Sequence, residues 1–213
     1  MTRDANTLQI TTRDDLGTSK ERQILAAARK VFMQLGYGAA SMDAIARQAG
    51  VSKATLYTHF DGKDALFAAL IVNECRDFAD QIGRRARDEP DIRLALRSLA
   101  EDFNNLLCND EKLAMYRMVV AETPRFPALG SIFYDSGPKV MIDRIADLLR
   151  RAAERGLLKI PDAHVAAVQF ISLVRGDSHL TRILGVTPSM SMPSDYIDSG
   201  VDLFLAGYGI KRD

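Results

Sequence analysis

Tryptophan is absent from this chain of 213 residues, and aromatic residues of all kinds make up only 7%. With Ala, Leu, Arg and Met plentiful, so thin an aromatic content favours helices over sheets. Cysteine is scarce too. Cys75 and Cys108 stand far apart, which gives no disulfide framework and reads as two reduced thiols. The three histidines, His59, His164 and His179, show no metal-ligand spacing with them, so no metal is expected. No apolar run approaches the ~20 residues of a membrane span. Residues Met1 to Gly17 lack the apolar segment of a signal peptide, and a cytoplasmic protein without a membrane partner is the expectation. There is no Gly-rich phosphate loop and no G-x-S-x-G. Asp177, Ser178 and His179 are adjacent in print, but consecutive helical residues point in different directions and cannot form a triad. No catalytic residue and no cofactor are expected.

What is present is ordinary for a soluble globular protein: 47% hydrophobic and 26% charged residues. Net charge is zero, but residues 1–63 hold nine Lys or Arg against six Asp or Glu. That mild local surplus supports a nucleic-acid partner only weakly by itself.

Apolar residues recur at helical spacing along most of the chain. Residues 1–17 have no periodicity and read as a flexible arm. Thr18 and Glu21 form a capping box that opens a first helix, with the stripe Ile24, Leu25, Ala28, Val31, Phe32 and Leu35 and Gly36 as its stop. A short second helix has Ser41 as N-cap, Met42, Ile45, Ala46 and Ala49 as its buried face, and Gly50 as its stop. A third begins at Ser52, with Val51, Leu56 and Phe60 behind. A long fourth starts near Lys63, with a stripe running to Ile82. Further helices are expected over Ile92–Leu107, over Leu113–Ala121, up to Gly156 with a disturbance at Gly137-Pro138, over Asp162–Leu184 and over Asp195–Ala206. No strand is expected. The fold class is all-α: a three-helix unit over 18–63, then a helical domain over 64–213.

The informative stretch is Ser41 to Lys63, SMDAIARQAGVSKATLYTHFDGK. Two short helices joined at Gly50-Val51-Ser52 form a helix-turn-helix, in which the second helix presents its N-terminal residues to a DNA major groove. Such a helix must be apolar behind and small or hydrogen-bonding in front. Leu56 and Phe60 supply the back; Lys53, Ala54, Thr55 and Thr58 supply the front. Tyr57, His59 and Lys63 are spaced to reach phosphates. Each also has a plainer reading: Tyr57 packed on the first helix, His59 an exposed turn residue, Lys63 an ordinary lysine at a helix start.

This segment resembles the N-terminal DNA-binding domain of the TetR family of regulators. The likeness runs from ILAAARKVFMQLGYGAAS through Ala44-Ile45-Ala46, Gly50-Val51-Ser52, Thr55-Leu56-Tyr57, His59-Phe60 and Lys63-Asp64-Ala65-Leu66. It implies that Ser41 and Asp43 lie near the DNA backbone. Ser52 caps the recognition helix, and Lys53, Ala54 and Thr55 occupy its base-reading positions. Tyr57, His59 and Lys63 would bind phosphate. Asp61-Gly62 departs from the family's usual cap and puts an acid near the DNA backbone. The run YRMVVAETPRFPALGSIFYDSGP, with LLRRAAERG and QFISLVRG, is similar to the C-terminal domain of the AcrR/AefR-like branch.

That resemblance implies a homodimer through the last two helices, double-stranded operator DNA as partner, and a small apolar or amphipathic ligand that releases it, which makes a repressor. Activation is the lesser alternative. Candidate ligand-lining residues are Phe78, Phe103, Leu107, Met115, Met118, Phe133, Phe170 and Val174; the same residues also read as core. Two rival functions stand beside this one: a helical enzyme acting on a hydrophobic molecule, and a DNA-binding protein with no small-molecule input.

Overall fold

The computed structural model describes residues 19–79, 84–87, 89–186 and 194–210, and leaves the side chains of residues 76–79, 178 and 194 undescribed. The expected arm, Thr18 of the capping box, and the stripe residues Phe78 and Ile82 therefore lie outside what is described.

Helix α1 (Ser19–Ala39) buries Ile24, Ala27, Ala28, Val31 and Phe32 at helical spacing, while Leu35 stays exposed. Its regular path breaks at Gly36 (φ 75°, ψ 165°), after which Tyr37 turns into the core. Helices α2 (Met42–Ala49) and α3 (Lys53–His59) follow, then α4 (Lys63–Ala79) and the single turn α5 (Arg84–Arg87). Helix α6 (Ile92–Leu107) has the expected bounds, because Asp91 caps the amides of Arg93 and Leu94.

Helix α7 (Asp110–Glu122) starts earlier than the apolar spacing indicates. Asn109 accepts from the Lys112 amide and draws a polar first turn into the helix. The segment expected to reach Gly156 is two helices, α8 (Pro127–Ser136) and α9 (Pro138–Glu154), joined at Gly137. The single helix expected over Asp162–Leu184 is also two, α10 (Ala163–Arg175) and α11 (Ser178–Ile183). Gly176 sits between them at φ 58°, ψ −155°, a conformation essentially closed to other residues, and no helix passes through it. Helix α12 (Ser194–Tyr208) ends the order. Among the described residues there is no strand, only an isolated bridge between Leu158 and Gly209. No described helix is long and apolar enough to cross a membrane.

Two cores hold the helices together. The first joins α1 to α4 with Met115 and Val119 of α7 and Leu129 of α8. At its centre Phe32, Tyr37, Phe67 and Phe126 meet with ring centroids 4.9–5.7 Å apart. The second joins α6, α9, α10 and α12 through residues such as Leu96, Phe103, Leu149, Phe170 and Phe204. The division expected after Lys63 thus separates helices but not cores. Leu66, Phe67, Leu70 and Ile71 of α4 pack with the helix-turn-helix, and α7 packs with them.

Candidate nucleic-acid interface

The corner between α2 and α3 depends on Gly50. It adopts the left-handed conformation (φ 64°, ψ 36°), and its amide donates back to the last carbonyls of α2. The Val51 amide donates to the Ala46 carbonyl, so the ends of α2 and the turn are saturated. Ser41 caps α2 by accepting from the Ala44 amide at 3.2 Å. Ser52 caps α3 by accepting from the Thr55 amide at 3.0 Å, and its hydroxyl also meets that of Thr55 at 2.8 Å. Gln23 of α1 donates to the Ala49 carbonyl and pins the end of α2. Helix α3 is too short to be stable alone. It is held by its caps and by Leu56, which is fully buried, with Val51 and Phe60 packed beside it.

That anchoring leaves one face of α3 open. Ser52, Lys53, Ala54, Tyr57 and Thr58 are exposed, and Thr55 and His59 half-buried. Tyr57 is 44% exposed, so it does not pack into α1. Thr58 donates to the Ala54 carbonyl and is satisfied on its own helix. Ser41 and Asp43 are exposed at the start of α2. Asp43 and Lys53 form an ion pair at 2.7 Å, which ties the openings of α2 and α3 together. The hydrogen bond to Asp43, and then its charge, raise the Lys53 ammonium above its ordinary pKa. His59 Nδ1 lies 3.5 Å from Glu21 of α1.

Lys63 departs from expectation. Its Nζ donates to the carbonyls of Tyr37, Gly38 and Ala40, at 2.8, 3.3 and 3.1 Å, and lies 4.5 Å from the centre of the Tyr37 ring. Those carbonyls would otherwise lack partners at the end of α1. The amine therefore caps the end of α1 at the position where the sequence reading put a phosphate clamp. Beside it the Tyr37 hydroxyl donates to Asp64. Burial first, then that carboxylate, push the phenol well above its usual range. Glu122 of α7 accepts from the Gly38 amide at 3.1 Å, so the same turn also contacts the far helices.

The ligand-lining candidates do not share one place. Phe103, Phe170 and Val174 are buried in the second core, where Phe170 meets Phe204 edge-on at 5.3 Å. Met115 is buried in the first core, with Met118 and Phe133 packed against it. Leu107 is half-buried at the end of α6. The Phe78 side chain is outside the described residues. A cleft of about 140 Å³ opens between α5, α6 and α9, lined by residues including Arg87, Leu99, Ile145 and Arg151; none of the candidates lines it.

Comparison with known proteins places this geometry. Residues 24–70 match the model of bacterial regulatory proteins of the tetR family. Residues 94–210 match the AefR-like transcriptional repressor, C-terminal domain. The chain belongs to the TetR family of DNA-binding transcriptional regulators. In overall structure it is similar to a TetR-family regulator from Mesorhizobium loti, at 28% identity over 90% of this chain and 97% of that one, with a TM-score of 0.81. It is similar also to the Flavonoid-responsive Regulator FrrA, at 36% identity over 91% of this chain and 98% of that one, with a TM-score of 0.79. Among curated proteins it resembles the transcriptional activator FasR of Mycolicibacterium smegmatis, 37% identical over 97 residues. That match spans 46% of this chain and 43% of FasR, less than half the length of either. These relatives are regulators, not enzymes, and the enzymatic alternative falls away.

Proposed function

We propose that this protein is a homodimeric repressor whose two helix-turn-helix heads grip one operator and let go when a small molecule binds. The observation that carries the reading is α3 itself: a capped helix anchored by buried Leu56, with Lys53, Ala54 and Tyr57 toward solvent and Thr55 half-buried beside them. In this reading Lys53, Ala54 and Thr55 meet base edges, while Tyr57, His59, Ser41 and Ser52 hold the phosphates. Asp43 serves by orienting Lys53 across their ion pair. Residues 19–63 act as the head, and the later helices carry the ligand and the dimer.

Three further features support the finer points. Repression accords with the AefR-like repressor domain matched over residues 94–210; the likeness to the activator FasR covers less than half the chain. Dimerisation through α10–α12 accords with exposed apolar side chains there, including Val165, Val168, Leu184 and Leu203. A ligand response accords with the likeness to FrrA, whose name describes it as flavonoid-responsive. In a dimer the heads stand roughly 34–36 Å apart, one turn of DNA, and phosphate contacts make affinity depend on salt.

The test is selection of binding sites from a random duplex library, followed by fluorescence anisotropy of the selected site against salt and against a flavonoid. A two-fold-symmetric site is expected, bound far more tightly than scrambled DNA and weakened steeply by salt. Equal binding to scrambled DNA would remove the reading. Tyr57→Ala is expected to weaken every sequence alike.

A further inference from the structure

Asp43 carries the wrong charge for a phosphate, yet it stands beside the exposed face of α3. It lies in the first turn of α2, and Lys53 opens α3. Lys53 Nζ is 2.7 Å from Asp43 Oδ1, and both side chains are 60% exposed. Ion pairs so exposed add little to stability, so the fold does not account for this one. A carboxylate in a first turn gains from the helix dipole. That explains an acid at this position but not its union with the first residue of the next helix. The backbone beneath each residue is fixed, since Ser41 caps α2 and Ser52 caps α3 on the two sides of the Gly50 corner. A donor and an acceptor are thereby displayed side by side.

The major groove presents a matching pattern. A G·C pair shows guanine N7 and O6, both acceptors, and next to them the cytosine N4 amine, a donor. O6 and N4 are joined by an N–H···O hydrogen bond and so lie about 2.9 Å apart. That is close to the 2.7 Å between the Lys53 and Asp43 atoms. One hydrogen bond between the two side chains leaves capacity at both, because an ammonium has three protons and a carboxylate about four acceptor sites. An A·T pair shows acceptor, donor, acceptor and then a methyl group, so it offers an ammonium no two adjacent acceptors.

We propose that Asp43 and Lys53 together read one G·C base pair: the Lys53 ammonium donates to guanine N7 and O6, and the Asp43 carboxylate accepts from cytosine N4. The inference rests on the DNA-reading function proposed above and gives it a base pair and a second reader, on α2. Asp43 then does more than orient Lys53. Away from that base pair its charge faces phosphates and holds the ammonium back from them, so the same carboxylate that strengthens the operator complex weakens non-specific binding.

The test uses the full-length protein and its selected operator, read by fluorescence anisotropy at the base pair where Lys53→Ala stops discriminating. That pair is expected to be G·C. Its cytosine is then replaced by 2-pyrimidinone, which lacks the 4-amino group and leaves the guanine edge intact. Wild type is expected to lose about tenfold on the altered duplex, while Asp43→Ala binds both duplexes equally. On scrambled DNA, Asp43→Ala is expected to bind at least as tightly as wild type, with a salt slope steeper by about 1, because the freed ammonium then meets a phosphate. Thermal melting shows that the variants fold.

Equal binding of wild type to the two duplexes overturns the inference and leaves Asp43 as a residue that only orients Lys53, with base reading by α3 intact. An A·T pair at the position overturns it, as does a Lys53→Ala variant that keeps every preference. So does a loss on 2-pyrimidinone that persists in Asp43→Ala, or an equal weakening of operator and scrambled DNA by that variant. If wild type binds selected and scrambled DNA alike, the inference and the DNA-reading function fall together.

Discussion

The exposed face of α3 and the exposed face of α10–α12 are built on opposite plans. Helix α3 buries Leu56 behind and shows solvent Lys53, Ala54, Tyr57 and Thr58. Helices α10 to α12 bury Phe170, Val174, Val201 and Phe204 but still show Leu184, 67% exposed, and Leu203, 60% exposed, as well as Val165 and Val168. Polar groups on a short, capped helix lose nothing in water and gain from a wet, charged partner such as DNA. Exposed apolar groups gain only when another apolar surface covers them. The two surfaces of one chain thus differ in the partner chemistry they suit.

The strongest way to break this comparison is to make the second face like the first. Leu184→Glu with Leu203→Glu is expected to give a monomer in sedimentation analysis and to weaken operator binding by more than a hundredfold, because one head then binds alone. Unchanged assembly would show that the apolar face is not the dimer contact. Next is the anchor of the first face. Leu56→Ala is expected to cost about 2–5 kcal/mol in chemical denaturation, the range for a large-to-small change at a buried site.

Lys63→Met separates two roles by magnitude and kind. As the cap of α1 it is expected to cost about 1–3 kcal/mol of stability and to leave the salt slope of DNA binding unchanged. A phosphate clamp would instead lower that slope by about 1. The smallest effect is at the corner. A Cβ at Gly50 meets nothing within 4 Å, so Gly50→Ala is expected to cost about 1–2 kcal/mol, all of it from the left-handed backbone.

What was legible in the sequence was local. Ser41, Gly50 and Ser52 mark helix ends by chemistry that acts over three or four residues, and the structure uses them so. What was illegible was set by distant neighbours. Lys63 finds carbonyls 23–26 residues away in the chain, at the end of α1, and no spacing rule connects them. Asn104 reaches Val174 across 70 residues, and His179, for which the sequence showed neither a triad nor a metal-ligand spacing, meets the Tyr116 ring of α7 edge-on. Phe103, Met115 and Phe170 read as core more readily than as pocket, and all three are buried. Gly176 was visible as a glycine, but its break in the helix appears only once its backbone angles are known.

The central claim is that the exposed side chains of α3 read bases. The most direct measurement is the affinity of wild type and Lys53→Ala for the selected operator and for every single-base-pair variant of one half-site. The account expects wild type to lose about 1–3 kcal/mol at a few positions, and the variant to stop discriminating at one of them while keeping the rest. Uniform weakening by Lys53→Ala at every position, with all preferences intact, would mean that the residue touches only the backbone and that α3 does not read sequence through it.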